Sequence, residues 1–311
     1  MDFSDFLDEV QSAYGYDDQV VHVEHLPPRE ARFDVLRAPL HPRINGSLQK
    51  LGIQQLYTHQ ANAINALRGG KNVTLVTSTA SGKTLCYQIP TLESILQDSE
   101  ATSLYLYPTK ALAQDQARSL GRFDAGEFIF GTYDGDTPPN LRRTLRDEGR
   151  VILTNPDMLH QGILPNHPRW ARFFQNLRFV VLDEMHAYRG VFGSNVANVI
   201  RRLNRICAHY EAKTQYICCS ATIANPKEFS EALTGREMAC IDNDGSPRGP
   251  RHFVFWNPPF LEGSNSDRRS SNTEARQLLT RLIESRVKTI AFTRARVTAE
   301  LIYRYCQEDL S

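Results

Sequence analysis

The chain has 311 residues, 41% apolar and 23% charged, with 36 lysines and arginines against 35 acids for a net charge of +1. That balance suits one or two globular domains, disfavours disorder, and supplies no general basic field of the kind that advertises a nucleic-acid binder, although a local groove remains compatible with it. No apolar run approaches the ~18 residues needed to span a bilayer, and the acidic start Met1-Asp2-Phe3-Ser4-Asp5 lacks the apolar core of a secretion signal.

Residues 1–45 read as an extended lead-in, with Pro-rich turns at Leu26-Pro27-Pro28-Arg29 and Pro39-Leu40-His41-Pro42. From residue 46 to about 240, short apolar runs alternate with longer amphipathic stretches. The runs are Val73–Val76, Leu104–Tyr107, Val151–Leu153, Phe179–Leu182 and Tyr216–Cys219, most of them apolar on both faces, as strands of a helix-covered parallel sheet are. In Lys83–Gln97 the residues Leu85, Ile89, Leu92 and Leu96 share one helical face, with Pro90 as a candidate kink. Gly121, Gly126, Gly149 and Gly162 punctuate the joins. The alternation predicts a doubly wound α/β domain.

Residues 241–285 turn polar around Asp242–Pro247 and Gly263–Asp267, enclose a strand candidate at Phe253–Trp256, and read as a connector. Thr289-Ile290-Ala291-Phe292 then reads as the first strand of a second α/β unit over 286–311, with a helix from about Val297. One strand and one helix cannot bury a core of their own, so this segment is either the front of a longer unit or a tail packed on the first. The six cysteines, Cys86, Cys207, Cys218, Cys219, Cys240 and Cys306, form no CxxC pair and no metal-ligand spacing, which suits a reducing, intracellular setting.

The chemistry begins at Thr77-Ser78-Thr79-Ala80-Ser81-Gly82-Lys83-Thr84, between a strand candidate and a helix candidate. That is the context of a phosphate-binding loop. Backbone N–H groups across Thr79, Ala80, Ser81 and Gly82 and at the helix start would face phosphate oxygens, Lys83 would reach the β- and γ-phosphates, and Thr84 would hold Mg²⁺ through its hydroxyl. Thr77 stands where the usual first glycine would be. The bland alternative is a Ser/Thr-rich turn capping a helix, and the flanking strand and helix favour the loop. Asp183-Glu184-Met185-His186 follows directly on Phe179–Leu182, at the strand edge where open α/β sheets bind ligands. Asp183 suits Mg²⁺, usually through water, and Glu184 suits orienting and deprotonating an attacking water. An isolated acidic pair would read as a solvated turn, whereas one paired with a phosphate loop does not. Ser220-Ala221-Thr222, at another strand end, could link that site to movement through His186.

The ordered series Gln60, Ser81-Gly82-Lys83-Thr84, Pro108-Thr109-Lys110-Ala111-Leu112, Thr154-Asn155-Pro156-Asp157, Asp183-Glu184-Met185-His186 and Ser220-Ala221-Thr222 resembles the motifs of superfamily 2 helicases. The resemblance implies a RecA-like ATP-binding domain over 46–240, with catalytic residues Lys83, Asp183, Glu184 and His186, and with Gln60 reading adenine. It also implies that Thr109, Lys110, Thr154 and Asn155 meet a nucleic-acid backbone. The threonine hydroxyls suit phosphates without reading bases. For Lys110, a solvated helix-start lysine is an equal alternative. Arg189 suits either DNA or a nearby acid, and Asp134-Gly135-Asp136 either a contact or a turn. DExH in place of DEAD looks more like the DNA-directed branches. Leu26–Ala31, the Thr77–Thr84 loop and Leu182–Gly190 are similar to the mitomycin repair factor helicases, relatives of the fungal RecQ-family-four-like helicase. That similarity implies a DNA helicase moving 3′ to 5′ in repair, with ATP and Mg²⁺ as cofactors and single-stranded or partly duplex DNA as partner. The later arginine motifs of the second RecA-like domain and the cysteine-containing metal domain of that subfamily have no counterpart here. The competing reading is a short nucleotide- or DNA-binding module without motor activity. An unrelated phosphate-loop kinase has no need of the 108–112 and 154–157 segments.

Overall fold

The computed structural model describes residues 3–310 apart from 14, 125, 222, 262 and 265. In chain order its elements begin with α1 (Phe3–Ser12), β1 (Val20–Leu26), β2 (Phe33–Asp34), α2 (Pro42–Lys50), β3 (Leu56–Tyr57), α3 (Thr58–Arg68), β4 (Val73–Val76) and α4 (Leu85–Gln97). Then come β5 (Thr102–Leu106), α5 (Lys110–Leu120), β6 (Phe130–Thr132), α6 (Pro139–Glu148), β7 (Val151–Thr154), α7 (Pro156–Met158), α8 (Ala171–Gln175) and β8 (Leu177–Leu182). The last are α9 (Gly190–His209), β9 (Gln215–Ser220), α10 (Pro226–Thr234), β10 (Ala239–Ile241), β11 (Arg251–Trp256), α11 (Ser271–Glu284) and α12 (Arg296–Leu310). Two compact units result, Arg29–Arg248 and the pair of segments Met1–Pro28 with Gly249–Ser311.

The larger unit is built on a seven-stranded sheet in the order β10-β4-β9-β8-β5-β7-β6, with every pairing parallel. Its five inner strands, β4, β9, β8, β5 and β7, are buried on both faces, which explains the unbroken apolar runs. Leu75, Tyr105, Leu153, Val181, Ile217 and Cys219 pack into one core with α3 and α4. Leu104, Leu106, Ile152, Val180, Leu182 and Cys218 pack into the other, with Trp170, Phe174 and the inner face of α9. The alternation follows from successive side chains pointing to opposite faces of a strand. Pro90 lies inside α4 without ending it. All six cysteines are free, five of them buried. Among the described residues no helix is long and apolar enough to cross a membrane.

In the smaller unit the structure differs from the sequence reading. The segment expected as an extended lead-in contains α1 and β1, and β1 pairs antiparallel with β11. The strand candidate at Phe253–Trp256 is real, but it belongs to this two-stranded sheet. Thr289–Phe292 is not a strand. It has no ladder partner, and Ile290 and Phe292 are 74% and 87% exposed. An apolar run becomes a strand only when a neighbour takes its N–H and C=O groups. The stretch expected as a connector holds α11, whose buried Glu274 accepts from Trp256 Nε1 at 2.8 Å and pairs with Arg269 at 3.1 Å.

Candidate nucleotide site and nucleic-acid edge

Parallel strands send their C-terminal ends to one edge, where the helices that follow start. On the larger unit this edge collects the loop after β4, the acidic turn after β8 and the end of β9, which lies between those two strands. Val76 pairs with Ser220, and the Thr77 N–H donates to the Ser220 carbonyl at 3.4 Å. Three segments far apart in sequence thus meet because their strands are neighbours.

Residues 77–84 are irregular, and the helix begins at Leu85. Gly82 has φ +77°, a backbone that favours glycine, and a Cβ there would lie 2.6 Å from Gln60 Nε2 and push that amide aside. Ala80 also sits in the left-handed region, at φ +61°. Thr79 and Ala80 are exposed, Thr84 is half-buried, and the Thr84 side chain makes no capping bond, which leaves its hydroxyl for another partner. Lys83 is buried to 8% exposure, and its Nζ donates to the carbonyls of Thr77 (3.0 Å) and Ser78 (2.8 Å). Thr77, in the place of the first glycine, is buried with its hydroxyl 2.7 Å from that of Ser81.

Asp183 is buried and aimed at the same edge. Its Oδ2 accepts from the Tyr87 hydroxyl at 3.0 Å and its Oδ1 from the Glu184 N–H at 2.9 Å. Burial, and then the charge of Glu184 beside it, push the Asp183 carboxyl up to about 6, while Tyr87 and the Lys83 ammonium pull the other way. Glu184 adopts φ +51°, a conformation uncommon for a residue with a Cβ. His186 Nδ1 lies 3.3 Å from both Glu184 Oε2 and Ser220 Oγ, so the strand-end serine does meet His186. Thr222 lies outside the described residues.

Gln60 is placed against the loop rather than in the open. Its Oε1 accepts from the Tyr57 N–H at 2.9 Å, and its Nε2 donates to the Gly82 carbonyl at 3.0 Å. These two bonds leave the amide one further N–H and one further lone pair. Sequence reasoning passed over its neighbour His59, which is fully buried and bridges two segments. The Gly245 N–H donates to Nδ1 at 3.2 Å, and Nε2 lies 3.1 Å from the Ser81 carbonyl, an arrangement that requires the neutral ring protonated at Nε2. Burial lowers its pKa in the same sense. Asp244 was missed as well. Its Oδ2 accepts from the Ser78 N–H (3.1 Å), the Ser78 hydroxyl (2.7 Å) and Arg29 Nη2 (2.8 Å). Burial alone would raise the Asp244 carboxyl, but the bonds from Ser246, Ser78 and Arg29 outweigh it and hold the group well below the usual carboxylate range. No local signal could have found this residue, which stands 166 positions from Ser78 in a polar turn.

The expected nucleic-acid residues sort unequally. Thr109 is exposed at the N-cap of α5 and accepts from the Leu112 N–H at 3.3 Å. Lys110 is exposed and bonded to Asp136 Oδ2 at 2.6 Å, a partner that raises its pKa. Asp134 and Asp136 form a turn, in which the Asp136 N–H donates to Asp134 Oδ1 at 2.8 Å. Asn155 is half-exposed and caps α7 through a bond from the Met158 N–H at 2.8 Å. Thr154 is placed differently from Thr109. It is the last residue of β7, 2% exposed, and its hydroxyl donates to the Tyr133 carbonyl at 2.6 Å. Arg189 is exposed at the start of α9, in a groove that also includes Asn198, Arg201 and Asn225.

A seven-stranded parallel sheet with a phosphate loop after one strand and an acidic turn after another defines a RecA-like nucleotide-binding domain. The DEAD/DEAH box helicase family matches residues 57–229, more than half of the chain, and the chain belongs to that family. It is 47% identical over 308 residues to the uncharacterized ATP-dependent helicase YprA of Bacillus subtilis, covering 97% of this chain and 41% of that protein. It is 42% identical over 306 residues to the ATP-dependent helicase HRQ1 of Saccharomyces cerevisiae, covering 96% of this chain and 28% of that protein. The crystal structure of the DUF1998 helicase MrfA bound to DNA and AMPPNP superimposes with a TM-score of 0.92 at 46% identity, over 99% of this chain and 43% of that one. The chain therefore spans less than half the length of these relatives.

Proposed function

We propose that this chain is the nucleotide-binding front portion of an ATP-driven DNA helicase that moves 3′ to 5′ and serves DNA repair. The observation that carries the reading is the meeting of Lys83, which follows β4, with Asp183 and Glu184, which follow β8, at one sheet edge. The ammonium of Lys83 would leave the Thr77 and Ser78 carbonyls for the β- and γ-phosphates, and loop N–H groups from Thr79 to Thr84 would take the remaining oxygens. Glu184 would accept the proton of the water that attacks the γ-phosphorus. His186, between Glu184 and Ser220, would relay the state of that site to the end of β9.

Magnesium fits the residues present. Thr84 and Asp183 offer oxygen donors only, as a hard cation prefers, and a carboxyl raised to about 6 by burial is short of positive charge. When bound, the ion would neutralise charge on the β- and γ-phosphates.

Thr109, Lys110 and Asn155 are proposed to meet the backbone of a single strand. Lys110 would exchange Asp136 for a phosphate and Thr109 would keep its cap. Residues 286–311 are proposed to begin a second RecA-like domain. The relatives support DNA over RNA, since MrfA was solved with DNA, and so does the DExH spelling of Asp183–His186.

The test is strand displacement by the protein extended through its second domain, on duplexes carrying a 3′ or a 5′ tail, in DNA and in RNA. Unwinding confined to 3′-tailed DNA and abolished by Glu184→Gln supports the reading. Tight ATP-dependent DNA binding without displacement on any tail would favour a module without motor activity.

A further inference from the structure

We infer that Asp244 is a positioning residue for the phosphate loop, acting through Ser78 to set where the Lys83 ammonium sits and so the affinity for a triphosphate. The inference rests on the ATP reading above.

Ser78 is a hub with bonds on both sides. Its N–H and its hydroxyl both donate to Asp244 Oδ2, at 3.1 and 2.7 Å, and its carbonyl accepts Lys83 Nζ at 2.8 Å. The carboxylate is anchored in turn. Oδ1 accepts from the Ser246 N–H (2.9 Å) and hydroxyl (2.6 Å), and Arg29 Nη2 stands 2.8 Å from Oδ2. Arg29 also donates to the Ser246 carbonyl through Nε (3.1 Å) and Nη2 (2.8 Å), so the same guanidinium grips both ends of the 244–246 turn. That turn cannot drift. A Cβ at Gly245 would lie 2.3 Å from Thr58 Oγ1 and 2.6 Å from the Arg32 carbonyl, and the Gly245 N–H is bonded to His59, whose far nitrogen meets the Ser81 carbonyl. The loop is therefore held at Ser78 by Asp244, at Ser81 by His59 and at Gly82 by Gln60, while Thr79 and Ala80 between these anchors stay exposed.

A loop that must present N–H groups to an anion faces two costs before the anion arrives. The amides that would face the anion must be kept for it, and Ala80 occupies a strained conformation. Anchors outside the loop lower the ordering cost at binding. Charge-assisted bonds to an ionised carboxylate are about twice as strong as neutral ones, and Arg29 together with the four bonds from Ser78 and Ser246 keeps this carboxylate ionised. Asp244 touches neither the proposed phosphates nor the water, and its effect passes through Ser78 to Lys83.

The experiment is equilibrium binding of fluorescent mant-ATP and mant-adenosine to the 311-residue chain, with thermal melting of each variant as a check of folding. Asp244→Ala is expected to weaken mant-ATP binding about ten-fold, or ~1.4 kcal/mol, and to leave mant-adenosine binding unchanged. In a Lys83→Ala background the same change is expected to add no further loss. Ser78→Ala, which deletes one of the two bonds and keeps the N–H, is expected to show a smaller effect with the same selectivity, and it decides the matter if Asp244→Ala does not fold. Equal loss for both ligands, or a full loss added in the Lys83→Ala background, would make Asp244 a merely structural residue. Unchanged mant-ATP binding in Asp244→Ala and Ser78→Ala would overturn the inference while wild-type binding upheld the ATP reading. Absence of mant-ATP binding by the wild-type chain would remove both.

Discussion

At the scale of single residues the nucleotide site trades stability for charge. Asp183 has its carboxyl pushed up to about 6 by burial and by Glu184. A folded-state value above the ordinary 3.8 means that the folded chain binds this proton more tightly than the unfolded one. The ionised form thus destabilises the nucleotide-free fold above pH 6, and the penalty fades as pH falls toward 4. A shift of about two units corresponds to roughly 3 kcal/mol at most. Asp183→Asn removes the charge but turns an amide group toward the Glu184 N–H or Tyr87, which returns part of the gain. We therefore expect it to raise unfolding stability by about 1–2 kcal/mol at pH 8, with no gain at pH 4, in urea titrations at the two pH values. An equal effect at both pH values would assign the change to packing instead of charge. Glu184→Gln keeps the shape of the turn and lacks only the proposed base. Mant-ATP binding is expected to persist while single-turnover hydrolysis by the extended protein falls about 10²–10⁴-fold. Loss of binding would mean that the left-handed turn at Glu184 depends on its carboxylate. Gly82→Ala combines a φ of +77° with a Cβ 2.6 Å from Gln60 Nε2. The backbone term alone is about 1–2 kcal/mol, so a melting temperature lowered by several degrees and weakened mant-ATP binding are expected together.

Elements reveal which residues carry two roles. Thr109 caps α5 and also stands exposed at the edge where a strand would pass. The two roles separate by substitution. Thr109→Ala loses the cap, at about 1 kcal/mol. Thr109→Asp restores it and adds a negative charge. The aspartate variant is expected to melt with the wild type yet bind single-stranded DNA several-fold more weakly, read by fluorescence anisotropy at fixed salt. Unchanged DNA binding would leave Thr109 a cap and nothing more. The same scale shows why the sequence was readable in some places and opaque in others. Val73–Val76 and Phe179–Leu182 announce themselves because a strand buried on both faces needs an unbroken apolar run, and the loop and acidic turn are adjacent to those runs. Thr154 looks available in the sequence as a polar residue ending a strand, and only the fold reveals that its hydroxyl donates to the Tyr133 carbonyl. Val20–Leu26 and Arg251–Trp256 pair across more than 220 residues, a match that no local pattern encodes. Asp244 belongs to the same class of hidden facts, since its partners Arg29 and Ser78 come from two distant segments.

At the scale of the whole molecule, the nucleotide edge of the larger unit carries an acidic turn and Lys83, and the arginines that enter the loop's bonding network among the described residues, Arg29 and Arg32, are both engaged by the 244–246 turn. On the proposed reading, binding ATP would need no more than this, because loop amides, Lys83 and a magnesium ion would balance the resting triphosphate. Hydrolysis asks for more. Negative charge shifts onto the bridging and equatorial oxygens in the transition state, and in phosphate-loop enzymes an arginine brought in at that moment is worth about 10³–10⁵ in rate. This chain spans 41% of one helicase relative and 28% of another, and the proposed second RecA-like domain is where such an arginine would come from. The 311-residue chain is therefore expected to bind mant-ATP with an affinity close to that of the protein extended through that domain, but to turn ATP over at least about 10³-fold more slowly, without stimulation by single-stranded DNA. The comparison is made by phosphate release from both proteins, with and without a 3′-tailed DNA. Slow turnover with intact binding would locate the missing contribution in domain closure. Comparable turnover by the two proteins would mean that the larger unit completes its own site, and Arg29 would then be the first residue to substitute.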